Sequence, residues 1–141
     1  MTASVYDENN EIVVVGGFTD SKDFGPIQGY NFEFAYLFAV DIDANFLWGN
    51  AYFNYSYPIA HILDIEMDEA GYAANTMAVL GISGFEGSYR AFVMTMDTRN
   101  GEIKQLVTLH EDIGSQFEYY GAISYWSNFQ DEEYVVASFN R

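Results

Sequence analysis

The chain of 141 residues contains no cysteine, few basic residues and no long apolar run. Without cysteine, neither disulfides nor thiolate metal sites can contribute to the fold. Only five Lys and Arg stand against twenty-one Asp and Glu, which gives a formal net charge of −16. A field of that sign repels nucleic acid and anionic membranes, and it favours cations and basic partners. We therefore expect no nucleic-acid binding.

Membrane and targeting signals are also missing. No stretch approaches the roughly 18 apolar residues of a membrane span, and the first residues lack a basic region followed by an apolar one. We expect a soluble mature segment without membrane insertion. Half of the residues are hydrophobic and 18% are aromatic, so the chain is globular rather than disordered. Its length suits one domain.

Turn residues recur at short intervals, and no helical periodicity is visible. Asp, Asn and Gly tolerate left-handed backbone or hydrogen-bond to it locally, so the runs between them read as strands joined by hairpins. The strand-like runs are residues 4–6, 11–16, 36–42, 46–53, 60–67, 74–82, 89–96, 102–109, 119–125 and 134–139. Ten such runs predict an antiparallel all-β protein.

Hydrophobic patterning separates two kinds of strand. Residues 11–16 and 36–40 are apolar on both faces, so both faces must be covered. Residues 60–68 alternate instead, which predicts a half-polar strand. Its predicted faces carry His61, Leu63, Ile65 and Met67 on one side and Ile62, Asp64, Glu66 and Asp68 on the other.

Two phrases repeat along the chain. The run FAVDID at residues 38–43 recurs as FVMTMD at residues 92–97, and VVG at 14–16 is echoed by VLG at 79–81 and VVA at 135–137. Repeats of this period indicate stacked β-modules. With strands labelled in order, the chain reads ABCD, ABCD, AB. The predicted modules are residues 1–55, 56–112 and 113–141, the last being half a module.

The phrases at residues 36–48 (YLFAVDIDANFLW), 65–72 (IEMDEAGY) and 79–81 resemble the bacterial-type β-propeller repeat family. The second copy departs from the pattern, with Lys104 where Trp48 stands. The resemblance implies antiparallel four-stranded propeller-type blades in an incomplete ring. It also implies an extracellular or surface scaffold without a conserved catalytic set. The alternative fold is a pilin-like β-sandwich that completes itself by strand exchange.

Incomplete closure suggests the function. Two and a half blades leave apolar end faces that must be covered. We therefore expect a noncatalytic structural or assembly module, completed by flanking blades or by neighbouring copies in an oligomer or filament. A carbohydrate- or peptide-binding propeller module is the alternative, since aromatic clusters suit such surfaces. The interface candidates near the last strands are Tyr119, Tyr125, Trp126, Tyr134 and Phe139.

Candidate chemistry is sparse. Two acidic turns offer oxygen ligands that could hold Ca²⁺, although we favour solvated hairpin turns, because Asp and Asn suit such turns for backbone reasons alone. The carboxylates of the strand at residues 60–68 suggest a less favoured glycosidase-like hydrolase. Asn54, in the sequon at residues 54–56, would accept a glycan in a secreted protein. We expect no other cofactor and no enzyme activity. The calcium candidates are Asp41, Asp43, Asn45, Asp97, Asn100 and Glu102.

Overall fold

The computed structural model describes residues 3–21, 33–52, 59–68, 73–85, 88–108, 120–127 and 133–140, all of which lie in strands or their connections. The prediction of an all-β fold is confirmed. Among these residues we find no helix with the length and apolarity to span a membrane. The strands are β1 (Ala3–Asp7), β2 (Ile12–Thr19), β3 (Phe34–Asp41), β4 (Phe46–Tyr52), β5 (Ile59–Met67), β6 (Thr76–Phe85), β7 (Ser88–Asp97), β8 (Ile103–Thr108), β9 (Tyr120–Ser127) and β10 (Glu133–Asn140).

Consecutive strands pair in antiparallel fashion to give three sheets. Sheet 1 has the order β1-β2-β3-β4, sheet 2 has the order β5-β6-β7-β8, and β9 pairs with β10 in a two-stranded sheet that we call the hairpin. Sheet 2 lies in the middle of the stack. Its strand β5 packs against β1, β2 and β3 on one side and against β9 on the other.

Both faces of sheet 2 are covered by apolar packing over β5, β6 and β7. Towards sheet 1, its side chains join one buried cluster; towards the hairpin, they join a second. Burial of this apolar surface is the main force that holds the layers together. Sheet 2 contributes Ala60, Ile62, Ile65, Met77, Val79, Phe92, Met94 and Met96 to the first cluster. To the second it contributes Leu63, Ala78, Leu80, Ile82 and Tyr89.

The predicted faces of β5 are wrong beyond its first residues, because the strand contains a β-bulge. Its register with β6 shifts between Ile62 and Asp64, and the extra residue reverses the alternation that follows. Ile62 and Ile65 therefore face sheet 1 together, whereas Leu63 packs towards the hairpin. A strict period of two had placed Ile62 and Ile65 on opposite faces.

The turns show which residues of the two four-stranded sheets are equivalent. The amide of Asp41 donates to the carbonyl of Asn45, and the amide of Asp97 donates to that of Glu102. In both sheets a register shift lies two residues before this aspartate. Asp41 thus corresponds to Asp97. The sequence match of residues 38–43 with residues 92–97 had instead aligned Asp43 with Asp97, so the two alignments differ by two positions. A slide of two leaves every side chain on its predicted face.

Other repeat matches differ by one residue, which changes the face. Ala39 and Thr95 are equivalent, because each lies two residues before the aligned aspartate, Asp41 or Asp97. Val14 pairs with Ala39, and Ala78 pairs with Thr95. Val14 therefore corresponds to Ala78 rather than to Val79. By the same reasoning Trp48, which pairs with Ala39, corresponds to Gln105 rather than to Lys104. Short apolar phrases match equally well in neighbouring registers, whereas hydrogen-bonded turns do not.

Candidate interaction surface

One face of sheet 1 points away from sheet 2, and we call it the outer face. The strand registers bring its side chains into one layer across all four strands, because directly paired residues share a face. The layer contains no charged residue, although the chain carries a formal charge of −16. Its larger side chains are those of Tyr6, Val13, Val15, Tyr36, Phe38, Val40 and Phe46.

The outer face is only partly shielded from solvent. Tyr6 is 46% exposed and Phe46 is 64% exposed, whereas the residues of β2 and β3 between them are half-buried. The rings of Tyr36 and Phe38 lie with centroids 6.0 Å apart. A Cβ atom at Gly49 would meet the Tyr36 hydroxyl at 2.5 Å and the Phe46 ring at 3.1 Å. The missing side chain at Gly49 lets Tyr36 and Phe46 approach the sheet closely at this position.

The equivalent face of sheet 2 is buried over β6 and β7. It is the face that packs on sheet 1: its residues in these two strands at the corresponding positions are at most 7% exposed, whereas Ile103 of β8, the counterpart of Phe46, is 40% exposed. Sheet 1 therefore presents at the surface the same layer that sheet 2 buries. The equivalent pairs are Val13 with Met77, Val15 with Val79, Tyr36 with Phe92, Phe38 with Met94 and Val40 with Met96.

The opposite, inner face of sheet 1 shows how two such sheets bind. The indole Nε1 of Trp48 donates to the carbonyl of Thr98 at 2.8 Å, and the Tyr52 hydroxyl donates to the carbonyl of Gly101 at 3.0 Å. Both acceptors belong to the β7–β8 turn of sheet 2. Burial raises the pKa of Tyr52, so its hydroxyl stays protonated and able to donate. Strand β4 thereby holds the turn of the neighbouring sheet.

A second polar connection joins the β1–β2 turn to the same place. The carboxylate of Asp7 is 1% exposed, and its Oδ2 accepts a hydrogen bond of 2.6 Å from the hydroxyl of Thr98. The amides of Asn9 and Asn10 donate to Oδ1 at 3.0 and 3.2 Å. The side chain of Asn10 also hydrogen-bonds to Asn75 in sheet 2. These bonds satisfy a buried carboxylate, which would otherwise be costly.

The first set of calcium candidates forms a hairpin turn between β3 and β4. Asp41 Oδ1 accepts hydrogen bonds from the amides of Asp43 (2.9 Å) and Asn45 (2.8 Å). The side-chain amide of Asn45 donates to Oδ2 at 2.8 Å. Hydrogen bonds to Asn45, its side chain first, lower the pKa of Asp41. The carboxylate thus caps its own turn.

The second set forms the turn between β7 and β8. Arg99 donates to both carboxylate oxygens of Asp97, at 3.0 and 2.7 Å. This bond lowers the pKa of Asp97 and raises that of Arg99. Asn100 Oδ1 accepts the amide of Glu102 at 2.9 Å. In the described part of the chain, no three His, Cys, Asp or Glu side chains are arranged to hold a metal ion. Calcium binding stays a prediction.

The carboxylates of β5 and its end bind backbone at separate places. Asp64 Oδ2 accepts the amide of Ile123 at 2.9 Å, which fastens the hairpin to sheet 2. Asp68 Oδ2 accepts the amide of Ala73 at 2.7 Å. Each bond has a structural role that needs no substrate.

The imidazole of His61 lies at a connection between sheets. It contacts Glu33 at 2.5 Å from Nε2 to Oε2 and stacks on Phe18, with ring centroids 4.4 Å apart. Glu33 also accepts the amide of Ala60 through its carbonyl. The pair joins the segment before β3 to the start of β5.

The predicted interface residues fall in different places. Tyr125 is fully buried between the hairpin and sheet 2, so its contacts are internal. Trp126 lies in β9, and Tyr134 and Phe139 lie in β10, but their side chains are outside the described set. Tyr119 and the sequon residue Asn54 lie outside the described residues.

Sequence reasoning did not single out Tyr6, Phe46 or Asp7. The signal for the two aromatics was the apolar character of residues 11–16 and 36–40 on both faces. The signal for Asp7 was its position at the end of a strand. Strands β1, β3 and β7 each end in an aspartate, at Asp7, Asp41 and Asp97. No protein-family model matches this chain, and neither does any curated protein sequence.

Proposed function

We propose that the chain is a noncatalytic structural module that assembles through the outer face of sheet 1. One observation carries the proposal: this face exposes, in sheet 1, the same apolar layer that sheet 2 buries against its neighbour. Uncovered apolar layers of this kind mark protein contacts. A further sheet from a neighbouring copy would cover it. The β-propeller resemblance supports an extracellular or surface location.

A noncatalytic role is supported by the way the carboxylates are used. Asp7, Asp41 and Asp97 cap turns, while Asp64 and Asp68 accept backbone amides. Catalytic carboxylates instead work in pairs at a fixed separation around a bound substrate. In this chain, hydrogen bonds within the fold are enough to explain where these carboxylates lie.

The mass of the chain in solution tests this function. We expect light scattering to give species that are multiples of 16.0 kDa and that grow with concentration. Phe46→Asp, which places a charge on the outer face, should shift the distribution towards the monomer. Asn100→Asp adds the same charge at an exposed turn, so it should leave assembly unchanged. A compact monomer at every concentration would contradict the proposal.

A carbohydrate- or peptide-binding role is the second candidate, because exposed aromatic rings also suit ligand stacking. Tyr6 and Phe46 are the exposed rings on the outer face. If this role holds, the monomer should bind ligands on a glycan or peptide array, and Tyr6→Ala should remove that binding. Array binding without assembly would favour it over the structural role.

A further inference from the structure

The structure also indicates which surface covers the outer face of sheet 1. We propose that it is the hairpin of a second copy, so that copies of this chain join head to tail. The hairpin contacts sheet 2 through Ile123 and Tyr125. Its opposite side, here called the hairpin's far face, presents Ala122 and Ser124, which are both exposed. This inference rests on the proposed function and names its partner.

The order of the stack gives the geometry of the junction. The first strand of each sheet packs on the first strand of the next, because β1 packs on β5 and β5 packs on β9. Each contact joins one side of a sheet to the opposite side of its neighbour. Extending this rule by one step places β1 of a second copy on β9. The outer face of that copy, which carries Tyr6, then covers the side of β9 that carries Ala122.

The sizes of the side chains match the same rule. At the contact between sheets 1 and 2, small residues of sheet 1 receive larger ones from sheet 2. A Cβ atom at Gly16 would lie 2.8 Å from Ile65 and 2.9 Å from Ile62, so the glycine makes room for both. At the two described positions of the hairpin's far face, Ala122 and Ser124, the side chains are also small. At these positions they leave room for large side chains of the outer face.

Charge supports a contact between copies at these two faces. The outer face carries no charge, and neither do Ala122 and Ser124, although the chain as a whole carries −16. Uncharged faces are where two such anions can approach with the least repulsion. The two faces differ from each other, so the contact is heterologous. It leaves one free face of each kind and can extend into a filament or close into a ring.

Complementary variants test the head-to-tail junction. Tyr6→Asp blocks the outer face and Ala122→Asp blocks the hairpin's far face, with Asn100→Asp as the charge-matched control. We expect each blocked variant alone to be a monomer of 16.0 kDa. An equimolar mixture should form a dimer and stop there, because the intact hairpin of one variant docks on the intact sheet 1 of the other. That dimer also shows that both variants fold.

Other outcomes overturn the inference in distinguishable ways. If the wild-type chain is itself a monomer, both this inference and the proposed function are wrong. If Tyr6→Asp is a monomer while Ala122→Asp assembles normally, sheet 1 binds itself or another surface, and only this inference is wrong. The same holds if the mixture stays monomeric while both variants keep the wild-type melting temperature.

Cross-linking gives a second measurement that does not depend on disrupting the contact. The chain has no cysteine, so Tyr6→Cys and Ala122→Cys each introduce a single thiol. With a short bis-maleimide reagent, we expect the mixture of the two to give a cross-linked dimer and each variant alone to give none. A dimer from Tyr6→Cys alone would indicate a symmetric contact and overturn the head-to-tail arrangement.

Discussion

At the scale of single residues, backbone conformation at the turns sets the register of the sheets. Glu11, Ala44 and Asn75 have positive φ angles of 55°, 63° and 62°, and Gly101 has one of 70°. Each immediately precedes the next strand or lies one residue further back. Residues with a Cβ atom are strained in this region. Three of the turns therefore keep a side chain where glycine would be favoured.

Ala44 offers a direct test of that strain. Ala44→Gly removes the Cβ penalty at an exposed position, and part of this gain is offset by the greater freedom of glycine in the unfolded chain. We expect a net gain in the free energy of unfolding of about 0.5–1 kcal/mol, measured by chemical denaturation. Ala74→Gly is the matched control: Ala74 is exposed in a turn without a positive φ, so it should lose stability. Equal losses for both variants would contradict the assigned backbone.

At the scale of elements, turns of one sheet are bound by strands of another. The β7–β8 turn receives hydrogen bonds from Trp48 and Tyr52 in β4, and its Thr98 donates to Asp7 at the end of β1. Sheets 1 and 2 are therefore joined by directional polar bonds as well as by apolar packing. Such bonds fix the relative position of two layers in a way that apolar contact alone does not.

Thr98 is the residue to change for this connection. Thr98→Val keeps the shape of the side chain but removes the donor to the buried carboxylate of Asp7. We expect a loss of about 1–3 kcal/mol in the free energy of unfolding. Thr98→Ser retains the hydroxyl and should lose less. If the valine variant is as stable as the wild type, the Thr98–Asp7 bond does not stabilise the contact between the sheets.

At the scale of the whole molecule, a large negative charge opposes assembly while uncharged faces favour it. Each copy carries −16, so copies repel one another at long range. Salt shortens the range of that repulsion, because the Debye length falls from about 30 Å at 0.01 M to about 3 Å at 1 M. The apolar contact itself does not depend on charge.

We therefore expect assembly to strengthen with ionic strength. Light scattering between about 0.01 M and about 1 M NaCl should show a higher mean mass at the higher salt concentration. Another monovalent salt at the same ionic strength should have the same effect as sodium chloride, because the effect is screening. Dissociation on adding salt would indicate that charge pairs hold the junction, which contradicts an uncharged interface.

Much of the fold could be predicted from the pattern of residues alone. Asp, Asn and Gly mark the turns, alternation and β-branched residues mark the strands, and ten strands follow. The apolar character of β2 and β3 on both faces predicted layers that need cover, and the face towards sheet 2 is buried. For the candidate surface, the residue pattern predicted only that an apolar end face would need to be covered. Tyr6 and Phe46 could not be chosen because their exposure depends on strand pairing.

The chain by itself determined that the protein is all-β, acidic and free of disulfides, because these properties follow from local residue preferences and from composition. Tertiary structure decided register and face. Val14 resembles Val79 in its sequence phrase, yet the two lie on different faces of their sheets. The bulge at Leu63 reverses β5 in the same way. One-residue differences of this kind are set by turn hydrogen bonds and by contacts between distant residues such as Asp7 and Thr98.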